Sequence, residues 1–152
     1  TGHAINWSES AVDFYDKNKK ARLQNATFYF RSGLAIPMVT SGKISASLMK
    51  NAIFDQGVVG VFPKDDNWLN FLLIYINSDF VSNVLKKTIS PGANNSANYL
   101  KRMPVPDVGE NSLLEANKIV SIAIDNVTYD LNGERHYDNF NSLYFFNAWV
   151  MS

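Results

Sequence analysis

Apolar and polar positions along the chain change rhythm several times. Residues 5–20 mix Trp7, Val12, Phe14 and Tyr15 with Glu9, Asp13 and Asp16. Ser8 stands where an N-cap belongs, so a short helix is predicted from Glu9. The lysines of 17–20 suit its C-terminal end, where cations oppose the helix dipole. Residues 26–31 (Ala-Thr-Phe-Tyr-Phe-Arg) are rich in strand formers, and Ser32-Gly33 breaks the run. Residues 34–40 read as a second strand, demoted by Pro37 to an edge or a bulge. After Ser41-Gly42, residues 43–50 alternate, with Ile44 and Leu48 against Lys43, Ser45 and Ser47. Ile53-Phe54, a turn at 55–57 and the run 58–62 suggest another hairpin. The prediction is a twisted antiparallel sheet of four or five short strands, with Arg31 and Lys43 on its polar face.

The longest stretch of organised pattern is 68–106. Asp65 or Asp66 caps a helix that runs through Asn77, and Ser78 caps the next, with Phe80, Val81, Val84 and Leu85 on its apolar side. A polar loop follows over 90–98, then Tyr99-Leu100-Lys101-Arg102-Met103 and the Pro104-Val105-Pro106 stop. Two buried elements thus carry a loop of small amides and two adjacent cations, a platform of the kind on which recognition chemistry sits. Beyond it, Leu113, Leu114, Ile119, Ile122, Ala123 and Val127 form a helical stripe that Tyr129 and Leu131 continue to Asn132-Gly133. Residues 137–152 form an aromatic tail, packed back on the core or facing another domain or partner. The expected class is α+β.

Composition narrows this little. With 152 residues, 46% of them apolar and 13% aromatic, one globular core is expected and disorder is not. No apolar run has the ~18 residues of a membrane span, and no leader pattern opens the chain. Cysteine is absent, which removes disulfides and thiolate chemistry and fits a reducing, cytoplasmic location. The absence of an initiator Met suggests a fragment or a processed chain.

Charge changes the picture more. The formal net charge is zero, yet residues 17–54 hold seven bases and no acid, and residues 80–106 hold Lys86, Lys87, Lys101 and Arg102 and no acid. Folded onto one face, the two blocks would give a neutral protein a basic surface. The other reading is that these bases pair with acids elsewhere.

Catalytic chemistry is hard to find. No phosphate-cradling glycine loop and no dinucleotide fingerprint occurs. His3 and His136 sit at opposite ends; His136 with Asp130 and Asp138 makes a weak start on a metal site, and a turn histidine is the better reading. Asp65-Asp66 reads better as a cap than as a catalytic carboxylate pair. The Asn-x-Ser/Thr triplets at Asn25, Asn94 and Asn126 are read as chance. The loop around Asn94, Asn95 and Asn98 is more suggestive. Asparagine can bond adenine bidentately, Tyr99 can stack on nucleic acid, and Lys101 and Arg102 can take phosphates. A plain surface loop anchored by Tyr99 is the other reading.

The order of several segments adds a resemblance. Phe28 to Leu34 (FYFRSGL), Phe54-Asp55-Gln56-Gly57, Gly60-Val61-Phe62-Pro63, Leu72 to Ser78 (LLIYINS) and Asn98 to Pro106 (NYLKRMPVP) occur in sequence. Together they resemble the target recognition domain of adenine-specific DNA methyltransferases, as in type IIG-like restriction–modification enzymes and, more distantly, type I specificity subunits. Residues 124–131 also resemble the helix that follows there, with departures at Thr128-Tyr129 and Asn132. The resemblance covers residues 25–133, leaving 1–24 as an N-terminal helix and linker and 134–152 as the tail. It implies non-catalytic recognition of double-stranded DNA. The Asn/Asp-Pro-Pro-aromatic motif of the methyltransferases is missing, so catalysis and S-adenosylmethionine would belong to a domain N-terminal to Thr1, and no metal or membrane is expected. Base readers would be drawn from Arg31, Lys43, Asn94, Asn95, Asn98 and Tyr99, and phosphate contacts from Lys50, Lys86, Lys87, Lys101 and Arg102. The rival is a protein- or glycan-binding module with Trp68, Tyr99 and Trp149 on its contact face.

Overall fold

Local caps set the helices. Ser8 accepts from the Ala11 amide and starts α1 (Glu9–Lys17). Asp65 accepts from the Asn67 amide and starts a 3-10 turn, Asp66–Trp68, that runs into α2 (Leu69–Ile76). Ser78 accepts from the Val81 amide and starts α3 (Asp79–Val84), which widens into a π turn, Leu85–Ile89. Each such cap satisfies an amide that the helix itself leaves orphaned. The short α4 (Ala97–Leu100) and the long α5 (Glu110–Asp125) complete the helices. This computed structural model describes residues 5–18, 20, 23–40, 42–89, 92, 94–125, 127–129 and 135–137, the backbone alone at 125, 127–129 and 135–137.

The strands are β1 (Gly33–Pro37), β2 (Ser47–Met49) and β3 (Val58–Val61), in the antiparallel order β2-β1-β3. A separate antiparallel pair joins β4 (Val127–Tyr129) to β5 (Arg135–Tyr137). The class is α+β. Leu34 and Ile36 of β1, Ile74 of α2, Leu85 of the π turn, and Ala116 and Val120 of α5 share one core. Full burial of each large aliphatic side chain contributes about 1.5–3 kcal/mol. No helix among the described residues is long and apolar enough to cross a membrane.

Several sequence expectations need correction. Residues 26–31 are not a strand. They form a 3-10 turn, Ala26–Phe28, and Asn25 and Phe30 take left-handed backbone (φ 57° and 63°). Their aromatic rings serve a different purpose. Trp7 lies edge-on to Tyr29 and Phe30 at 5.9 and 5.2 Å, which docks the segment preceding α1, so ring packing overrides strand propensity.

Gly33 starts β1 instead of breaking a strand. The Phe62 ring lies over both Gly33 and Gly60, so closely that a Cβ on either would come within 2.6 Å of it. Pro37 ends the central strand, not an edge. Pairing with β2 stops at Ala35↔Ser47, so Pro37 is paired on one side only and its missing N–H is tolerated. Ile53-Phe54 is not a strand, and β3 pairs with β1.

The buried side of α5 is Leu113, Ala116 and Val120, whereas Leu114 and Ile122 are exposed. The predicted stripe passed over Ala116 and Val120, which are buried, and counted Leu114 and Ile122, which are exposed. Tyr129 belongs to β4, not to a continued helix. Leu131, Asn132, Gly133 and the tail over 138–152 lie outside the described residues.

Candidate nucleic-acid interface

The segment 43–46 has too few strand bonds to hold itself, so the α2–α3 corner holds it. The Asn77 side chain acts as a peptide group would: its Oδ1 accepts from the Ala46 amide and its Nδ2 donates to the Ala46 carbonyl, both at 3.0 Å. The same Nδ2 donates to the Leu73 carbonyl at 2.8 Å, tying the clamp to α2. Ser82 Oγ accepts from the Ile44 amide at 3.2 Å. Ile44 is thereby buried and Lys43, its neighbour, is left exposed beside α3. There its ammonium pairs with Asp79 at 2.5 Å.

Two helical turns further on, the π turn brings Lys86 and Lys87 to the same place. Gly42, Lys43, Asp79, Ser82, Asn83, Lys86 and Lys87 line an open cleft of about 290 Å³. It holds three ammonium groups and one carboxylate. Lys43 comes from the first acid-free block and Lys86 and Lys87 from the second, so the two blocks do meet here.

The three lysines are not equivalent. Lys86 Nζ donates to the Thr40 carbonyl (3.2 Å), the Gly92 carbonyl (3.2 Å) and Asn95 Oδ1 (3.3 Å). All three acceptors are neutral, so the hydrogen bonds are satisfied and the positive charge is not cancelled. Lys87 is exposed and has no partner among the described residues. Lys43 is shared with Asp79.

Two predicted contacts change role. Asn95 is fully buried, so it is no base reader in this structure. Its amide N–H donates to the Met38 carbonyl, its Nδ2 donates to the Pro37 carbonyl at 3.1 Å, and its Oδ1 receives Lys86. With the isolated Val39↔Asn94 bridge, residues 94–95 take up the end of β1 beyond the point where β2 stops. Lys86, read as a phosphate contact, spends its donors fastening this loop.

The other candidates divide between two ends of β1. Asn94 accepts from the Ser96 amide at 2.8 Å and is exposed, at the cleft end. Asn98 is exposed on α4, and Lys101 and Arg102 are exposed in the turn after it. Tyr99 is half-buried and packs against the core. Arg31 and Lys50 lie at the opposite end, because Gly33 is paired with Met49. Five strand residues at ~3.3 Å each separate the two groups by roughly 15 Å. Arg31 lies over the Phe28 and Phe62 rings, at 5.3 and 5.7 Å from their centroids. It is exposed but stands apart from Lys43, not beside it on one sheet face.

Asn77, Ser82 and Asp79 were not among the residues read from the sequence as functional. The Asn77-Ser78 corner was legible as a helix stop; its grip on Ala46 is a contact across 31 positions. A second groove, of about 260 Å³, is apolar and lies among Phe71, Ile74, Tyr75, Phe80, Pro106 and Val108. Tyr75 is buried there, donates to the Pro104 carbonyl, and has its phenol pKa raised above 10.0 by that burial. Of the three aromatics in the rival reading, Trp68 packs edge-on to Phe71 at 5.6 Å and Tyr99 packs on the core. Trp149 and the side chains of the weak His136 metal grouping lie outside the described residues.

No protein-family model matches the chain, and no curated protein sequence matches it.

Proposed function

We propose that this chain is a DNA target recognition domain, the non-catalytic part of an adenine-specific methyltransferase of the restriction–modification kind, working in the cytoplasm. The observation that carries the proposal is the convergence of Lys43, Lys86 and Lys87 on one cleft, beside the loop that bears Asn94 and leads into α4 with Asn98. A neutral protein that concentrates its cations this way attracts polyanions to that face. Lys43, read from the sequence among the base readers, here joins Lys87 in taking backbone phosphates and setting the register. Asn94, Asn98 and Arg31 read base edges, Lys101 and Arg102 extend the phosphate track, and Lys50 serves it at the far end of β1. Methyl transfer, S-adenosylmethionine and extrusion of the target adenine belong to a separate catalytic domain. The module with an aromatic contact face draws less support, since Trp68 and Tyr99 are spent on packing.

The test is the affinity for random-sequence duplexes, by fluorescence anisotropy, as salt rises from about 50 to 200 mM. Each neutralised phosphate contributes about −0.9 to the slope of log affinity against log salt. A slope worth several phosphates supports the proposal. Binding that is absent at low salt, or indifferent to salt, counts against it.

A further inference from the structure

The cleft contains one acid, and its position is specific. Asp79 is the residue immediately before the second acid-free block, and it is the partner of Lys43. Both side chains are well exposed, 73% for Lys43 and 55% for Asp79. An exposed pair of this kind is worth little and is easily exchanged for another partner. The remaining charges favour such an exchange. Lys86 is immobilised with its charge uncancelled, and Lys87 has no partner among the described residues. With Asp79 counted, the cleft keeps an excess of two positive charges.

Building on the DNA-binding reading, we propose that Asp79 is a built-in competitor for the backbone phosphate that Lys43 takes, and so weakens the phosphate contact at this cleft. A phosphate entering the cleft meets Lys87 directly, the fixed field of Lys86, and Lys43 only after Asp79 lets it go. At the cleft mouth Asp79 also repels the phosphate. This cost falls on any duplex whose phosphate Lys43 takes, so Asp79 acts through Lys43 to set the strength and the salt dependence of binding.

The experiment is a double-mutant cycle on the whole chain: wild type, Asp79→Asn, Lys43→Gln and the double variant. Each is titrated against random-sequence duplexes across the same salt range. Thermal melts accompany each titration, and exposure of both residues predicts melts close to wild type. Asp79→Asn is expected to bind about fivefold tighter at low salt, and to steepen the salt slope by about 0.9 as Lys43 gains a phosphate. In the Lys43→Gln background the same change gives less than half of that gain. An equal gain in both backgrounds overturns the proposal, because Asp79 then acts by long-range repulsion alone. Salt-dependent binding by wild type with no gain in Asp79→Asn also overturns it, and leaves the DNA-binding reading standing. No binding by either protein at low salt overturns both.

Discussion

The Lys86 ammonium donates to Asn95 Oδ1 at 3.3 Å, and the Asn95 amide nitrogen donates onward to the Pro37 carbonyl at 3.1 Å. This two-step link joins the π turn after α3 to the end of the central strand. It makes Asn95, one residue of a polar loop, part of the interior. An asparagine with no exposed surface has to find its partners inside the protein, and here it has them on the Pro37, Met38 and Lys86 groups.

Asn95→Ala is therefore expected to cost stability, not affinity alone. It leaves the Pro37 carbonyl unpaired and removes one of the three Lys86 acceptors. A loss of about 2–3 kcal/mol follows from stranding such groups in the interior. Asn98→Ala, on the exposed face of α4, is expected to change stability by less than about 0.5 kcal/mol. Urea denaturation of the two variants measures the contrast. Equal midpoints would show that the Asn95 network contributes nothing.

The salt slope sorts the lysines by role. Lys87→Gln is expected to lower its magnitude by about 0.9, and Lys101→Gln with Arg102→Gln by about 1.8, with folding intact in both. Lys86→Met is expected to lower the denaturation midpoint, because the Thr40 and Gly92 carbonyls and Asn95 lose their shared donor. Titrations of these variants across salt, each paired with a melt, separate groups that touch DNA from the group that holds the loop.

Gly33 and Gly60 make unequal demands on Phe62. A Cβ on Gly60 meets the ring at 2.6 Å and next the Phe54 ring at 3.3 Å, so its nearest contacts are with side chains. A Cβ on Gly33 meets the ring at 2.6 Å and also the Val61 carbonyl oxygen at 2.9 Å, and a strand backbone does not move aside. Gly33→Ala is expected to lose about 2–3 kcal/mol and Gly60→Ala about 1 kcal/mol. Phe62→Leu is expected to recover most of the Gly60→Ala loss and little of the Gly33→Ala loss. Denaturation midpoints of the three single and two double variants check this.

These relationships also mark what can be read from the chain alone. The caps at Ser8, Asp65 and Ser78 were legible, because a cap needs only a side-chain oxygen and an amide two or three positions on. The apolar run of α2 was legible for the same local reason. Residues 26–31 were misread because their rings answer to Trp7, Phe54 and Phe62, which are distant in sequence. The candidate site was half legible. Two acid-free blocks announced basic surface, and Lys43, Lys86 and Lys87 meet. Burial of Asn95 left no mark, since a row of asparagines and serines reads as solvent-facing. Asp79 was hidden by its double service, being both the first residue of α3 and the partner of Lys43.

Tyr75 carries a pH dependence whose direction can be derived. Its phenol is buried, donates to the Pro104 carbonyl, and has its pKa raised above 10.0 by burial. In the unfolded chain the same phenol ionises near 10.0, so between the two values the native state holds the proton and the unfolded state does not. Stability from Tyr75 is thus fully present below pH 10 and is lost as pH rises through the native value. Tyr75→Phe is expected to cost about 1 kcal/mol at neutral pH, by leaving the Pro104 carbonyl without its donor. The gap between wild type and variant then narrows above pH 10, and melts across pH 8–11 measure it. The consequence reaches the candidate site, because Pro104 follows Lys101-Arg102 within two residues and Tyr75 is its tether. With that tether gone the turn has more conformations to lose on binding. The Lys101→Gln, Arg102→Gln change should accordingly cost less affinity in Tyr75→Phe than in wild type. An undiminished cost would mean that the turn is held without Tyr75.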